Sequence, residues 1–405
     1  MIQRLIICTL FTLTTTSIMA QLSLKEYVEA VMKYSHTIAS AEAVVEGADA
    51  EYGIAKRTLL PSVSLSSDVA YNIDADATPW ALRADVVQPI YNGGGNIART
   101  KQREWLLAQS ESALESSMLD VRYEAETLYW SLSRAAIYRQ AMRDYITIVQ
   151  RLKGVAQHRY EEGYTSKSDL LQVESRLSDA EYLLSQAEQS WRVALHRFNI
   201  LRGEEASTDV ILSEDIFDSF AMPIREDIMD VIEHHPDYLR AVAGKESAQS
   251  GIDLRRAEYL PKLNVGVFGM WQSTSSGSVN GGVLLSFNTP IFHFMERREA
   301  MRSAKSNYQR ADVEVENVVD NIILNESNGW ANLEYTHRRV EAVQRNLDIA
   351  QENLDISTYS YREGMATILD VLQAQISWLQ IYENAIAAEY DYTIAIASYR
   401  YIVGK

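Results

Sequence analysis

An internal duplication with a period of about 200 residues constrains the fold of this chain more than any other feature. Residues 160–172 read YEEGYTSKSDLLQ and residues 361–373 read YREGMATILDVLQ, with six identities in 13 positions at an offset of 201. Shorter pairs recur in the same order: Leu60-Pro61 with Leu260-Pro261, Pro89-Ile90 with Pro290-Ile291, and Trp130 with Trp330. We therefore predict two copies of one structural repeat, residues 21–203 and 224–405, joined by a linker at residues 204–223.

Each repeat changes from helical to strand character at its Leu-Pro pair, because proline cannot continue a helix and restrains the residue before it. Residues 62–72 and 80–90 alternate apolar with polar side chains, and residues 262–272 and 281–291 repeat the pattern. Such alternation predicts β-hairpins at 62–90 and 262–291. About 10 residues per strand are enough to cross a bilayer when tilted. A two-stranded ribbon on a soluble protein fits the same periodicity.

The rest of each repeat is predicted to be helix of unusual length. Residues 96–159 contain no proline and a single glycine. Apolar residues of the second repeat follow spacings of three and four, which is the pattern of a coiled-coil seam: Val340, Val343, Leu347, Ala350 and Leu354. At about 1.5 Å per residue, helix 96–160 spans about 97 Å, and helices 167–201 and 37–59 together nearly match it. We expect a rod about 100 Å long, with a strand hairpin at one end and a helical turn at the other.

The amino terminus is predicted to be a cleaved export signal. Residues 1–20 combine a positive charge at Arg4, an apolar stretch and a small residue at Ala20. A single membrane anchor and a lipid-anchored Cys8 are the rival interpretations. Because Cys8 is the only cysteine, the exported chain would have no disulfide, cysteine zinc site or thiol nucleophile. A formal charge of -17 argues against binding to nucleic acid.

The two hairpins cannot span a membrane in a single chain. After the signal, the sequence has no uncharged apolar stretch of about 18 residues, so it offers no transmembrane helix. Four strands cannot close a barrel, which needs at least about 8, and open strand edges leave backbone groups unsatisfied in lipid. If these strands cross a membrane, several chains must therefore share one barrel.

The motifs together resemble the TolC-like outer-membrane efflux proteins over residues 22–402. The resemblance rests on the repeated Leu-Pro before a strand, on PIYNGG at 89–94, on ALHRFNILRG at 194–203 and on the duplicated element at 160–172. It implies a mainly α fold with membrane β, in which long coiled-coil helices form an α-barrel in the periplasm. Four strands per chain would contribute to a trimeric 12-stranded β-barrel in outer-membrane lipid.

The resemblance also implies a function and partners. The chain would be a homotrimer and a passive exit duct, with no enzymatic activity and no cofactor. It would receive substrates from an inner-membrane pump of the RND or ABC type through a periplasmic adaptor. A soluble periplasmic coiled-coil adaptor or scaffold is the alternative from another class, and an envelope hydrolase is a weaker one. The transported substrate stays open.

By this resemblance the turns at Gly163 and Gly364 form the periplasmic tip of the tunnel. The residues assigned to adaptor docking are Tyr160, Gly163, Ser166, Tyr361, Gly364 and Thr367, and those assigned to the gate and lumen are Asp370, Gln373 and Asp169. Asp370, repeated around the pore, would form an acidic constriction that favours cations. Gln373 and Ala366 stand where tightly gated members have charged residues, so we expect a differently held closed state.

Local structure alone also explains much of the tip motif. Glycine tolerates the positive φ that a helix reversal needs, Ser166 and Thr367 suit helix N-caps, and aspartate is favoured in a first turn.

Aromatic residues near the strand ends are predicted to mark the membrane interface, namely Tyr71, Trp80, Trp271 and Phe292. Ordinary hairpin packing is the alternative. His234 and His235 lack a partner carboxylate at helical spacing, so we predict no metal site. The sequence also contains no motif that combines an acid, a base and a nucleophile.

Overall fold

The computed structural model describes residues 21–69, 71, 78, 80–218, 220–273, 278–292 and 294–405. The predicted signal lies outside these residues, as do residues 72–77 and 79 of the first predicted hairpin connection and residues 274–277 of the second. The described elements, in chain order, are α1 (Leu24–Tyr34), α2 (His36–Arg57), β1 (Ser62–Val69), β2 (Trp80–Asn92), α3 (Gly95–Glu161), α4 (Lys167–Leu201), α5 (Ile228–His234), α6 (Pro236–Ala257), β3 (Lys262–Gln272), β4 (Ser278–Asn288), α7 (Glu296–Arg362) and α8 (Ile368–Ile402).

The duplication is visible in the lengths of the helices. Helices α3 and α7 both have 67 residues, α4 and α8 both have 35, and α2 and α6 both have 22. A helix of 67 residues extends about 100 Å. The predicted very long helices are therefore present in both repeats. None of the helices among the described residues carries a stretch long and apolar enough to cross a membrane.

The helix predicted at 37–59 is α2, His36–Arg57, which begins one residue earlier and ends two residues earlier than predicted. A break at Ser35 separates it from α1, and the Ser35 side chain accepts from the N–H of Ile38 at 3.3 Å and caps α2. Helix α2 then ends at Arg57, and residues 58–60 form a turn. A serine at an N-cap competes with helical continuation, which explains the break.

The four strands form one antiparallel sheet in the order β1-β2-β3-β4. The central pair, β2 with β3, joins the two repeats, with Ala81 opposite Gln272 and Asn92 opposite Lys262. Among the described strands, β1 and β4 each have a strand on one side only. The two predicted hairpins are thus halves of a single sheet with two open edges.

The predicted bounds of the last strand, 281–291, are wrong, because β4 spans Ser278–Asn288. In the first repeat β2 continues through Pro89 to Asn92, with a register shift between Pro89 and Tyr91. Those extra residues, Gln88–Asn92, lie beyond β1 and pair with β3 alone. The corresponding residues of the second repeat, 289–292, have no described strand beside them on the equivalent edge. Strand β4 therefore ends where its pairing with β3 ends.

The chain forms two compact units, and each contains parts of both repeats. One unit contains residues 21–34, 124–221 and 336–394 of the described chain, and the other contains residues 35–123, 222–335 and 395–405 of it. The boundaries of the compact units therefore differ from those of the sequence repeats. The first unit contains both predicted tip turns, and the second contains the sheet.

The core of the first unit is a cluster of apolar side chains from four helices. Its buried members include Tyr145 and Leu152 of α3, Val173 of α4, Leu354 of α7, and Val371 and Trp378 of α8. The seam predicted in the second repeat contributes Ala350 and Leu354 directly, and Leu347 packs against them. The heptad pattern is thus confirmed as a packing surface between helices.

An ion pair between the half-exposed Arg225 and the buried Glu326 in the second unit anchors the chain that follows the predicted linker. Arg225 donates to both carboxylate oxygens of Glu326 at 2.9 and 2.8 Å, and the hydroxyl of Tyr399 donates to the same group at 3.2 Å. Glu326 is only 1% exposed, and the Arg225 guanidinium holds the pKa of this carboxyl below its usual range. The pair binds the segment before α5 to helix α7 and, through Tyr399, to α8.

The turn between β2 and α3 packs closely against the junction of α6 with β3. Gly93 and Gly94 both have positive φ, 58° and 81°. A Cβ on Gly93 would lie 2.7 Å from the carbonyl oxygen of Ala257 and from the Cβ of Leu260. A Cβ on Gly94 would meet nothing within 4 Å. We call this contact of Gly93 with Ala257 and Leu260 the intrachain joint.

Alanine substitutions at these two glycines separate backbone strain from steric overlap. Gly94→Ala is expected to cost about 1–2 kcal/mol, the penalty of a side chain at positive φ. Gly93→Ala adds the overlap with backbone, a further ~1–3 kcal/mol. Chemical denaturation of the detergent-solubilised variants measures both effects, and equal midpoints for the two variants would contradict the close packing of the intrachain joint.

Candidate functional site

The two predicted tip turns close their helices with the same hydrogen bonds. After α3, Gly163 has a φ of 79°. Its N–H donates to the Tyr160 carbonyl at 3.0 Å, and the Tyr164 N–H donates to the Arg159 carbonyl at 2.8 Å. After α7, Gly364 has a φ of 78°, and the equivalent bonds are 3.0 and 2.8 Å. This pair of bonds, with glycine at positive φ, is the Schellman arrangement. The glycines of both motifs therefore have a structural role.

The next helices begin with reciprocal caps in both turns. The Ser166 hydroxyl accepts from the Asp169 N–H at 3.2 Å, and the Asp169 carboxylate accepts from the Ser166 N–H at 3.3 Å. In the second turn, Asp370 accepts from the N–H and the hydroxyl of Thr367 at 2.8 and 2.7 Å. Each aspartate also lies in a first turn, where the helix dipole favours negative charge. The predicted N-caps are confirmed.

These hydrogen bonds stabilise the ionised form of both aspartates. The pKa of Asp169 is lowered chiefly by the Thr165 hydroxyl, which donates to its carboxylate, and also by Ser166. The pKa of Asp370 is lowered by the Thr367 hydroxyl and N–H. Both carboxylates are therefore charged at neutral pH.

Arg159 links the two turns, and the sequence interpretation missed it. Its guanidinium donates to the carbonyls of Tyr361 and Arg362 at 2.9 and 3.2 Å. It also lies 5.0 Å from the centre of the Tyr361 ring, in a cation–π contact. A cation at the carboxyl end of α7 is favoured by the helix dipole. A comparison of the repeats could have found Arg159, because its counterpart at the offset of 201 is the uncharged Ser360.

The candidate gate residues differ in their surroundings. Asp370 and Gln373 are both exposed and lie three residues apart, on one face of α8. Asp169 is half-buried by comparison. The two tip tyrosines also differ, since Tyr361 is 3% exposed and Tyr160 is 38% exposed. The structural symmetry of the backbone turns does not extend to their side chains.

The four candidate interface aromatics lie at opposite ends of the sheet. Tyr71 follows β1, Trp80 begins β2, and the Trp80 and Trp271 rings meet edge to face at 5.2 Å. Phe292 follows β4 at the other end, where its ring lies 4.5 Å from that of Phe294. The structure thus places Tyr71, Trp80 and Trp271 at one end of the sheet and Phe292 at the other.

The predicted lack of a partner carboxylate at helical spacing is wrong for His234, whose Nδ1 lies 3.3 Å from a carboxylate oxygen of Asp230, four residues earlier. His235 is the N-cap of α6, where its ring nitrogen accepts from the Asp237 N–H at 3.2 Å, and burial lowers its pKa. Within the described part of the chain, no group of three or more His, Cys, Asp or Glu side chains is placed to hold a metal ion.

The repeat pattern and this arrangement of helices and sheet match a known family. The family profile described as "Outer membrane efflux protein" matches residues 28–203 and 228–405. The chain belongs to this family. The profile matches in two stretches, one in each sequence repeat. The resemblance to TolC-like proteins is thereby confirmed.

Curated relatives of this outer membrane efflux protein are similar along most of their length. Protein CyaE of Bordetella pertussis is 24% identical over 384 residues, which cover 88% of this chain and 79% of the relative. Pyoverdine export outer membrane protein OpmQ of Pseudomonas putida is 22% identical over 395 residues, covering 89% and 81%.

Solved structures share the fold. VceC of Vibrio cholerae matches with a TM-score of 0.81 and 17% identity, covering 94% of this chain and 96% of that one. MtrE of Neisseria gonorrhoeae, in its open state, matches with a TM-score of 0.83 and 15% identity, covering 94% and 88%. At these identities the likeness concerns the fold alone.

Family membership establishes the general function. The chain is an outer-membrane channel for efflux or secretion, with its helical tunnel in the periplasm. Proteins of this family work with periplasmic adaptors and inner-membrane pumps in tripartite systems. It is a family of ducts and not of enzymes.

The Asp169 cap makes the order of the first turn dependent on pH. Because its pKa is lower in the folded state than in the unfolded one, its contribution is present above the unfolded pKa of about 4 and is lost as pH falls below that value. We expect amide hydrogen exchange at residues 163–170, corrected for intrinsic rates, to become faster below a pH of about 4.

Asp169→Asn should show faster exchange already at neutral pH, with little further change on acidification. The second turn, with Asp370 intact, is the internal control in the same sample. Unchanged exchange at 163–170 in Asp169→Asn would contradict a role of this cap in ordering the turn.

Proposed function

We propose that this outer membrane efflux protein works as a homotrimer and as a passive exit duct. The observation that supports this most is the four-stranded sheet with open edges at β1 and β4. Backbone N–H and C=O groups at such edges have no hydrogen-bond partners in lipid, so each edge needs another strand. Three chains would contribute 12 strands to a closed barrel, and the chain itself would supply no energy for transport.

We also assign the two tip turns to adaptor docking and gating. The docking residues are Tyr160, Gly163, Ser166, Tyr361, Gly364 and Thr367. Asp370 and Gln373 are assigned to the lumen because both are exposed on one face of α8. Asp169, which is less exposed than Asp370, is the weaker gate residue. The Arg159 contacts with the end of α7 would help hold the closed state.

The aromatic residues at the two ends of the sheet fit two interfacial girdles in outer-membrane lipid. Tyr71, Trp80 and Trp271 would occupy one interface and Phe292 the other.

The signal is expected to be cleaved after residue 20, and the two repeats of the exported chain are expected to span residues 21–203 and 224–405. The pump, of RND or ABC type, would determine the substrate. Pyoverdine export is a property of one relative, and here it is only one possible function among drug, metal and protein export.

Cell fractionation followed by sizing of the unheated, detergent-extracted protein tests this proposal. We expect the protein in the outer membrane, with a mass close to three times that of the processed chain. The control is the same sample after boiling, which should run as a monomer. A soluble periplasmic monomer would instead support the scaffold alternative.

Reconstituted channels test the role of Asp370. A unit charge about 4 Å from an ion in water contributes about 1 kcal/mol, which corresponds to about fivefold in permeability. We expect Asp370→Asn to reduce the K⁺ to Cl⁻ permeability ratio by about that factor, measured from reversal potentials. Asp348→Asn, at an exposed aspartate of α7 outside the turns, is the matched control. Equal ratios in both variants would argue against an acidic constriction at 370.

A further inference from the structure

The turn between β4 and α7 has backbone strain that its counterpart avoids. Phe294 and Met295 have positive φ, 30° and 71°. At the offset of 201 they correspond to Gly93 and Gly94, which have positive φ at little cost. Bulky residues in this region are uncommon and cost of order 1–3 kcal/mol. The second repeat therefore keeps the glycine conformation with side chains that destabilise it.

The same turn is also exposed where its counterpart is covered. Phe294 is 86% exposed and Met295 68% exposed, together with Ile291 and Phe292 before them. In the first repeat, Gly93 packs against Ala257 and Leu260 in the intrachain joint. Among the described residues of the single chain, no equivalent surface covers Phe294 and Met295.

The duplication identifies the surface that would cover this turn. Leu260, which receives Gly93, corresponds to Leu60 at the junction of α2 with β1. Leu60 is 60% exposed, and its neighbour Leu59 is 45% exposed. Phe294 and Met295 thus form an exposed turn, and Leu59 and Leu60 form an exposed junction. Their counterparts in the other repeat contact each other in the intrachain joint.

The strand registers place these two surfaces on complementary edges. Val87 of β2 lies opposite Ser62 of β1, and Asn288 of β4 lies opposite Lys262 of β3, which are equivalent pairs. Beyond Val87, β2 continues along the start of β3. By the same relation, residues 289–292 would continue along the start of β1 in a second copy, which brings the following turn to Leu60 of that copy.

We propose that the β4–α7 turn of one chain, with Phe294 and Met295, packs on the Leu59–Leu60 junction of a second copy of this chain. This interchain joint repeats the intrachain joint with large side chains in place of glycine. The proposal rests on the homotrimer and names the surfaces that join its subunits. Because Phe294 cannot approach a backbone as closely as Gly93 does, seams between chains are wider than those within a chain.

Cysteine crosslinking tests the interchain joint. The predicted processed chain contains no cysteine, so introduced pairs have no background. We expect Leu60→Cys with Phe294→Cys to form covalent dimers and trimers on mild oxidation in the outer membrane, and either single variant to stay monomeric. Leu60→Cys with Val279→Cys is the matched control, because Val279 is equally exposed but lies near the opposite end of β4.

Sizing the unheated protein in parallel separates the possible failures. A trimer that forms no covalent product from the 60–294 pair overturns the interchain joint and leaves the proposed function standing. A monomer overturns the trimer itself. Phe294→Trp gives a second measurement, taken as the difference from the parent protein because the chain already contains seven tryptophans. The interchain joint predicts that the added fluorescence is protected from brominated lipids, and strong quenching of it would place residue 294 in lipid and overturn the proposal.

Discussion

The hydrogen-bonding requirement of the sheet edges is the constraint on which the rest of this structure depends. In the outer membrane no water is available to satisfy the open backbone groups of β1 and β4, so a single chain is incomplete there. The described chain has this incompleteness at one further place, since residues 289–292 have no strand beside them although their counterparts in β2 do. One arrangement would satisfy both features: β4 and residues 289–292 of one copy pair with β1 of another.

Because of the internal duplication, the contact proposed between copies already exists once within each chain. The chain already contains one contact between the end of one repeat's strands and the start of the next, where Gly93 packs on Ala257 and Leu260. The same contact between copies would close a ring in which repeats alternate within and between chains. Glycine within the chain and Phe294 with Met295 between chains make the two kinds of seam chemically distinct. A distinct seam disfavours the wrong pairing of repeats, which a perfect duplication would permit.

Sequence reasoning predicted the long helices well because their signals are local and repeated. Helix 167–201 has its predicted bounds, and the glycines at 163 and 364 stop the preceding helices by backbone geometry alone. It was wrong for β4 because strand ends depend on a partner strand, which the sequence of one strand does not encode. Arg159 was missed because its role depends on a carbonyl more than 200 residues away. The turn at Phe294 was missed because it lacks the glycine that normally signals positive φ.

The tip turns have the opposite physical character from the sheet. Their hydrogen bonds are nearly all local: each glycine closes its own helix and each aspartate caps the next one. No second copy is needed to satisfy these groups, so a turn can move as a unit without exposing unpaired backbone. Among the described residues, Arg159 joins one turn to the other through two carbonyls and the face of one ring, and Leu170, Tyr361 and Ile368 beside the turns belong to one buried apolar cluster. A tip that opens by separation of its helix pairs would therefore lose the Arg159 contacts and part of this apolar packing but keep every cap, which allows movement there while the sheet stays closed.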